Sequence, residues 1–216
     1  YKKSLVYIAG PSHAEEVAKG KITGLITASL HHRNAIFVRD VLRCSKGIMA
    51  YASFDTIGVQ VCAAVKNVIA CVYGMLDALS ETSEIFGDNT ESLLMASGLN
   101  EIQKIGMAMG STHPQTFTSI SGVGDLDVTC KSKFGRNRRF GQDVIKLGLL
   151  DQFNDLDDLI ANVHKVGYLP EGAIACKYVH QISLIKGLKL PICDALFKIL
   201  NKEKTPEECL EELINY

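Results

Sequence analysis

The pattern of apolar and polar positions changes character near residue 57. Before that point the chain carries three short β-like runs, LVYIA (5–9), ITGLITA (22–28) and GIMAYAS (47–53). Helical patterns that begin at His13 and His31 separate these runs, which predicts a β-α-β-α-β order. After residue 57 the apolar positions recur with helical period. The helices predicted there cover 58–79, 89–109, 137–148, 171–187, 191–201 and 206–215.

Capping signals support several helix starts. The spacings S-x-x-E (12–15), D-x-x-E (88–91) and T-x-x-E (205–208) each match the capping box. In that motif two side chains bond the free backbone N–H groups at the start of a helix. The last box also has proline at the first helical position. Loops are predicted at 112–114, 121–127 and 131–135.

The three strands are too few for a sheet that is covered on both faces, and the first run starts only a few residues into the chain. We therefore expect residues 1–57 to be the trailing part of a larger α/β domain, whose earlier strands this sequence lacks. Residues 58–216 are expected to form an all-helical domain, so the predicted fold class is mainly α.

One predicted helix is apolar enough to raise the question of a membrane. The run IGVQVCAAVKNVIACVYGML (57–76) has the length of a membrane-spanning helix. However, Gln60, Lys66 and Asn67 lie near its centre, where polar groups are costly in lipid. The run lacks flanking basic clusters, and the sequence has no second span or signal-like segment. We expect a buried helix in a soluble protein.

Lys66 is the one charged residue of that run, and its surroundings on the helix are apolar. Its neighbours three and four positions away are Cys62, Ala63, Ile69 and Ala70. Lysine is rarely buried without a partner. The side chain could extend along the helix to solvent, or it could serve as an acid, a base or a charge clamp in a cleft. The spacing alone leaves both interpretations open.

Composition narrows the classes of function. The chain has 216 residues, 47% of them hydrophobic and 22% charged, as in a globular protein of one large or two small domains. A net charge of −1 argues against a general nucleic-acid or membrane surface. The seven cysteines form no CxxC pair, which is typical of reduced thiols in a core. The six histidines form no cluster with metal-ligand spacing, so we expect no metal site.

Two glycine-containing segments could approach a ligand. In AGPSHAEEVAKG (9–20) a strand leads into a glycine turn and a helix start, whose free N–H groups suit an anion, although an ordinary strand-to-helix turn has the same pattern. In SGVGDLDVTC (121–130) the glycines allow close backbone approach, and Asp125 is expected to point out of a loop. The segment is not a dinucleotide loop, because Asp127 replaces the third glycine and no strand precedes it.

The segment KSKFGRNRRFG (131–141) places Arg136, Arg138 and Arg139 at a predicted helix start. Arginine forks bind phosphate through two N–H groups, and backbone N–H groups at a helix start add to that binding. A solvated basic turn would have the same sequence, whereas an isolated patch in a chain of this net charge does not suit nucleic acid. A small phosphorylated ligand fits the segment better.

Together these segments resemble the NAD(P)-dependent glycerol-3-phosphate dehydrogenases of bacterial type. The resemblance rests on GPSHAEEVAKG, AAVKNVIA, GVGDLDVTC, GRNRRFG and LPEG, which follow in the family's order and spacing over most of the chain. It implies interconversion of sn-glycerol 3-phosphate and dihydroxyacetone phosphate with NAD or NADP, supplying glycerol 3-phosphate for phospholipid synthesis. It implies that 1–57 is the trailing part of a Rossmann-type nucleotide-binding domain, that 58–216 is the substrate-binding and catalytic domain, and that the protein is a cytoplasmic homodimer.

The resemblance also implies roles for single residues. Lys66 would be the active-site lysine, which exchanges a proton with the substrate oxygen. Asp125 would keep Lys66 charged, and Arg136 would hold the phosphate and lie near the cofactor. The positions implied for substrate are Gly10, Ser12, Lys66, Asp125, Gly135, Arg136 and Asn137, and those implied for the cofactor are Ala14, Arg136, Leu169 and Glu171.

The sequence departs from the family pattern at several places. Gly135 stands where serine or threonine is usual, so only its backbone could contact the substrate. Asp127 replaces an apolar residue, and LPEG (169–172) replaces a valine-rich segment. The glycine-rich nucleotide loop and a further substrate lysine are absent from the sequence. This chain alone is therefore expected to be a poor enzyme.

Two other functions stay open. Another two-domain dehydrogenase, of the β-hydroxyacid or ketopantoate reductase type, would share the architecture. The β-hydroxyacid group has asparagine four residues after its lysine, where this chain has Ala70, which argues against that group. The alternative from a different class is a non-catalytic helical dimerisation module.

Overall fold

A computed structural model describes residues 4–214 of the chain. These residues form two compact units, 4–63 with 102–128 and 64–101 with 129–214. The predicted fold class, mainly α with an α/β portion at the beginning, is confirmed. The domain boundary at residue 57 stays a prediction, because each unit combines two separate stretches of chain.

The first unit contains a three-stranded sheet of order β1-β2-β3. β1 (Tyr7–Ala9) pairs antiparallel with β2 (Thr23–Ala28), and β2 pairs parallel with β3 (Ile48–Ser53). α1 (Ala14–Val17) is a single turn between β1 and β2, and α2 (His32–Arg43) is the crossover that a parallel pair requires. All three predicted strands are confirmed, although β1 is two residues shorter at its start than the run LVYIA.

The core of this unit lies where the sheet meets the start of a long helix. Ala9, Ile26, Ala28 and Val59 are buried together, and Ile120 packs against them. The apolar positions that alternate along β2 therefore fill the core of the unit, as period-two patterning predicts.

The remaining helices agree closely with the sequence pattern. Six of the eight match predicted helices to within two residues at each described end, and residue 215 of the last predicted helix lies outside the described residues. The two others, α5 and α7, are short and were not predicted. The helices are α3 (Thr56–Ser80), α4 (Asp88–Ala108), α5 (Asp125–Lys131), α6 (Arg136–Leu147), α7 (Leu156–Ala161), α8 (Glu171–Lys186), α9 (Pro191–Leu200) and α10 (Pro206–Ile214).

Of the predicted capping boxes, the one at residues 205–208 forms and the one at residues 12–15 does not. The box at the start of α10 is confirmed, because Glu208 N donates to Thr205 Oγ1 at 3.2 Å and Thr205 N donates to the Glu208 carboxylate at 2.9 Å. The box at residues 12–15 is wrong. His13 is the N-cap of α1, and the Ser12 hydroxyl turns back to donate to the carbonyl oxygen of Gly10 at 3.0 Å.

The third box, at residues 88–91, lies at the start of α4 as predicted. The Glu91 carboxylate accepts a hydrogen bond from the buried hydroxyl of Tyr73 in α3. This residue therefore links two helices of the second unit.

The loop predicted at 121–127 is also wrong. Residues Ile120–Gly124 form a π-helical turn that continues directly into α5. A Cβ atom on Gly122 would lie 1.9 Å from the carbonyl oxygen of the buried Phe117, so the glycine lets the backbone coil closely around that residue. Asp125 consequently begins a helix and is buried, instead of pointing out of a loop.

α3 is long and apolar enough to cross a membrane by length and composition alone. However, 78% of its most apolar window is buried inside the protein, as in the core helix of a soluble protein. The predicted buried helix is confirmed.

Candidate active site

Three helices of the second unit meet with their backbones in contact. A Cβ atom on Gly141 of α6 would lie 2.0 Å from the carbonyl oxygen of Cys71 in α3. One on Gly74 of α3 would lie 2.0 Å from a backbone carbonyl oxygen of α6, and one on Gly172 of α8 would lie 2.2 Å from the carbonyl oxygen of Asn67. Because side chains cannot fit at these three glycines, α6 and α8 lie directly against the main chain of α3.

A chain of hydrogen bonds crosses the same three helices. Asn137 Nδ2 of α6 donates to Asn67 Oδ1 of α3 at 2.9 Å, and the backbone N–H of Gly172 in α8 donates to Asn137 Oδ1 at 2.8 Å. A backbone N–H can only donate, so it fixes which end of the buried Asn137 amide faces α8. The amide nitrogen of Asn137 must then face Asn67, the residue next to Lys66.

Arg136 and Glu171 lie together at the starts of α6 and α8. Arg136 Nη2 and Glu171 Oε1 are 3.0 Å apart, and about half of each side chain is exposed. Each is the first residue of its helix, where backbone N–H groups have no partner within the helix. Gly135, the N-cap of α6, makes no side-chain cap. The arrangement places an arginine fork and the positive ends of two helices at one accessible point.

The other two arginines of the segment hold the structure. Arg138 Nη2 donates to the carboxylate of Asp77 in α3 at 2.8 Å. The guanidinium of Arg139 lies 4.7 Å from the centre of the Tyr168 ring, and the Tyr168 hydroxyl donates to Asp143 of α6 at 2.5 Å. Arg139 is also exposed, but its guanidinium lies against Tyr168 and 3.5 Å from Asp143. Of the three arginines that the sequence indicates for phosphate, Arg136 is the one that is exposed and lies at the first position of α6.

Tyr168 ties the segment before α8 to α6. Burial raises the pKa of its hydroxyl, and the hydrogen bond to the Asp143 carboxylate raises it further. The hydroxyl therefore remains protonated and donates to Asp143 at physiological pH. Leu169, which follows directly, is exposed.

Lys66 lies in α3 immediately before Asn67. A lone lysine in an apolar helix is expected to be buried beside a partner, and Lys66 is only partly buried. Its neighbours three and four positions away on the same face, Cys62, Ile69 and Ala70, are buried, so Lys66 lies on a largely buried face of α3. Asp125 belongs to the other unit, and its pairing with Lys66 stays a prediction.

The first unit holds the remaining predicted site residues, Gly10, Ser12, Ala14 and Asp125. Gly10 has φ +139°, and a Cβ atom there would lie 2.5 Å from the carbonyl oxygen of Gly24, so only glycine fits this turn after β1. Ser12 and Ala14, at the start of α1, are exposed.

Asp125 lies near the same turn. Burial raises the pKa of Tyr7 in β1, and the negative charge of Asp125 adds to the rise. The ring of His13 lies 3.4 Å from the carbonyl oxygen of Val128 in α5, which connects the start of α1 with that helix. The structure therefore brings the segments 10–14 and 125–128 together within the first unit.

Sequence reasoning missed three residues of this arrangement, Asn67, Tyr168 and Gly172. Asn67 was noticed only as the neighbour of Lys66, because adjacent helix positions point in different directions. A polar residue next to a lone lysine in an apolar helix was the available signal. Gly172 gave a weaker signal. Glycine destabilises a helix, so its presence in one indicates that close packing requires it there.

Comparisons with known proteins bear on the whole chain. A sequence profile described as the C-terminus of NAD-dependent glycerol-3-phosphate dehydrogenase matches residues 55–211. The profile of the N-terminus of the same family matches residues 1–35.

Relatives and solved structures give the same result. The glycerol-3-phosphate dehydrogenase (NAD(P)+) of Treponema denticola is 63% identical over 99% of this chain and 60% of its own length. That of Treponema pallidum is 57% identical over 98% and 59%, respectively. A crystal structure of glycerol-3-phosphate dehydrogenase from Coxiella burnetii, 28% identical, matches with a TM-score of 0.80 over 98% of this chain and 60% of that one.

The chain thus spans about 60% of the length of the curated relatives that it matches. The profile of the C-terminal part alone covers well over half of its residues. The chain belongs to the NAD-dependent glycerol-3-phosphate dehydrogenase family.

Proposed function

We propose that this chain forms the substrate-binding and catalytic part of an enzyme that interconverts sn-glycerol 3-phosphate and dihydroxyacetone phosphate with NAD or NADP. The observation that carries the proposal is the meeting of the α6 and α8 starts at Arg136, joined through Asn137 and Asn67 to the helix position next to Lys66. A phosphate group and a reacting carbonyl of one small molecule could thus be held by neighbouring elements.

The start of α6 is proposed to bind the substrate phosphate. The Arg136 fork would donate to two phosphate oxygens, and the first-turn N–H groups of the helix would donate to the others. Gly135 fits this role through its backbone, because it exposes the N–H groups that follow it. Asn137 donates one amide hydrogen to Asn67 and would direct the second to the ligand.

Lys66 is proposed as the general acid and base. NAD(P) would deliver or accept the hydride when bound. As a ketone is reduced, negative charge develops on its oxygen, and the Lys66 ammonium would donate a proton there. In the reverse direction the neutral amine would take the hydroxyl proton. The roles that the resemblance implies for Asp125, as charge partner of the lysine, and for Gly10 and Ser12, as substrate contacts, are part of the same proposal.

The residues near α8 fit a nicotinamide nucleotide. Glu171 has an exposed carboxylate, which can accept hydrogen bonds from the ribose hydroxyls of the nucleotide. Arg136 has N–H groups that can donate to the phosphates of the nucleotide. Leu169 adds exposed apolar surface beside them. Ala14, at the start of α1, has a side chain small enough for close approach of the cofactor.

Replacement of Lys66 by methionine in the full-length protein tests the proposed chemistry. Met keeps the packing of the stem and removes the charge. We expect turnover of dihydroxyacetone phosphate to fall about 10²- to 10⁴-fold, as is typical for loss of general acid catalysis, with the dissociation constant of the nicotinamide nearly unchanged. Steady-state kinetics and a nucleotide titration provide the two measurements.

Lys104→Met serves as the matched control, because Lys104 is an exposed lysine of another long helix, α4. This variant should keep the wild-type rate. If Lys66→Met folds normally and also turns over near the wild-type rate, Lys66 is a surface lysine of a core helix and the mechanism is wrong.

A homodimer in the cytoplasm is also proposed for the whole enzyme. Sedimentation equilibrium of the full-length protein would show twice the chain mass. The β-hydroxyacid-type and purely structural alternatives predict no reduction of dihydroxyacetone phosphate, so the same kinetic assay separates them from the proposal.

A further inference from the structure

We infer that Glu171 is an internal anion that occupies Arg136 and competes with the substrate phosphate for it. The inference rests on the proposed function, in which Arg136 binds phosphate. A carboxylate and a phosphate present similar pairs of oxygen atoms to a guanidinium fork. Glu171 would therefore set how tightly the site binds a phosphorylated ligand.

The contact itself is direct. Arg136 Nη2 donates to Glu171 Oε1 at 3.0 Å, and both side chains are about half exposed. Solvent and dissolved anions therefore reach the pair. An oxyanion that takes both N–H groups of the fork must displace the carboxylate or share the guanidinium with it.

The position of Glu171 does not depend on this ion pair. On one side, the N–H of Gly172 donates to Asn137 Oδ1 at 2.8 Å. On the other side, the hydroxyl of Tyr168 donates to Asp143 at 2.5 Å. Both anchors belong to α6, the helix that begins with Arg136. The carboxylate is therefore held beside the arginine by its neighbours in the chain.

The charge on Glu171 is compatible with its own helix. It is the first residue of α8, where a carboxylate interacts favourably with the helix dipole. The same dipoles favour a phosphate at this point. Glu171 and a phosphate are thus alternative anions for one electropositive position, and removal of the carboxylate should make the position more attractive to the other anion.

The test uses full-length protein without nucleotide and inorganic phosphate as the probe. Phosphate binding is measured by isothermal titration at constant ionic strength for wild type, Glu171→Gln, Arg136→Gln and the double variant. Glutamine keeps the size of the side chain and removes its charge. The thermal midpoint without phosphate verifies that each variant is folded.

Glu81→Gln is the matched control. Glu81 forms another exposed ion pair of the second unit, 2.6 Å from Lys146 Nζ, at the other end of α6. Its replacement changes the net charge of the protein by the same amount. A general effect of net charge on phosphate binding would therefore appear in both Glu171→Gln and Glu81→Gln.

We expect Glu171→Gln to lower the dissociation constant of phosphate about 1.4- to 5-fold, the range for release of an exposed ion pair. Glu81→Gln should leave it unchanged. Arg136→Gln should weaken phosphate binding strongly. The double variant should bind phosphate no more tightly than Arg136→Gln alone.

The outcomes separate the two proposals. In one case Arg136→Gln weakens phosphate binding, but Glu171→Gln tightens it no more than Glu81→Gln does. The inferred competition between Glu171 and phosphate is then wrong, and the proposed phosphate site stands. If Arg136→Gln leaves phosphate binding unchanged, the proposed phosphate site is wrong, and the inference fails with it.

Discussion

At the scale of single residues, a buried glutamate supplies a helix cap that local sequence does not provide. Glu101 of α4 accepts hydrogen bonds from the backbone N–H groups of Ile192 at 2.7 Å and Cys193 at 3.0 Å, in the first turn of α9. The N-cap position itself is Leu190, which has no side chain suited to capping. Burial raises the pKa of Glu101, and the two backbone hydrogen bonds oppose that rise.

We expect Glu101→Ala to destabilise the protein by about 1–3 kcal/mol, because it leaves buried N–H groups of α9 without a partner. Glu101→Gln should cost less, because its amide oxygen can still accept one of the two hydrogen bonds. The free energy of unfolding in urea measures both. Glu84→Ala, at an exposed position, should change that free energy by no more than about 0.5 kcal/mol. Equal stability of Glu101→Ala and wild type would show that the cap is dispensable.

At the scale of elements, the contact between α3 and α6 depends on glycine at Gly74 and Gly141. Each faces a backbone carbonyl oxygen of the other helix, at a distance where a Cβ atom would overlap it. A backbone atom cannot rotate away as a flexible side chain can. A methyl group at either position must therefore push the two helices apart.

Alanine at Gly74 or Gly141 should consequently lower the free energy of unfolding by about 1–3 kcal/mol or more, even though alanine is the better helix former. Gly87→Ala is the control, because a Cβ atom there meets nothing within 4 Å. That variant should lower the free energy of unfolding by less than about 1 kcal/mol, because Gly87 directly precedes α4, where alanine is a poorer cap than glycine. A stabilised Gly141→Ala would mean that the helices can separate at little cost.

Helix periods and end signals explain why so much of the fold could be predicted. The T-x-x-E box before α10 and the long apolar pattern of α3 are local, and the structure uses both as the sequence suggests. The π-helical turn 120–124 was missed because its glycines indicate a loop, while packing on Phe117 closes them into helix. Ser12 failed as a cap because α1 begins at Ala14, so His13 and not Ser12 occupies the N-cap position.

Without the family resemblance, the sequence pattern indicates only the charged members of the candidate site. Lys66 and Arg136 have local signals, an apolar helix around one and a helix start at the other. The link from Asn67 to Asn137 and on to Gly172 joins residues that are 70 and 35 positions apart. Such a link follows from how helices pack, which periodicity alone does not specify.

At the scale of the whole molecule, the thiols are divided sharply by exposure. Six of the seven cysteines are buried, and Cys44 is exposed. Burial raises the pKa of the thiols of Cys71, Cys176 and Cys193, which lowers their reactivity further because the thiolate is the nucleophile. The predicted core location of the cysteines is confirmed for these six positions.

Titration of this chain with a thiol reagent such as Ellman's reagent should therefore show one fast thiol in the native state and seven after unfolding. Cys44→Ser should remove the fast phase and leave six thiols in denaturant. Because the slow thiols report only opened molecules, their rate also measures how often the folded chain opens. Several fast thiols in native Cys44→Ser would contradict the burial described above.

The backbone contacts at Gly74, Gly141 and Gly172 also bear on how this protein can evolve. Where side chains space two helices, every substitution at the contact changes the distance between their axes. Here main-chain atoms set the distance, and these atoms are the same whatever residue carries them. Substitutions around the three glycines can therefore accumulate without moving the starts of α6 and α8 relative to Lys66. Sequence drift in this unit is free to change its surface and much of its core while the geometry of the site is inherited intact.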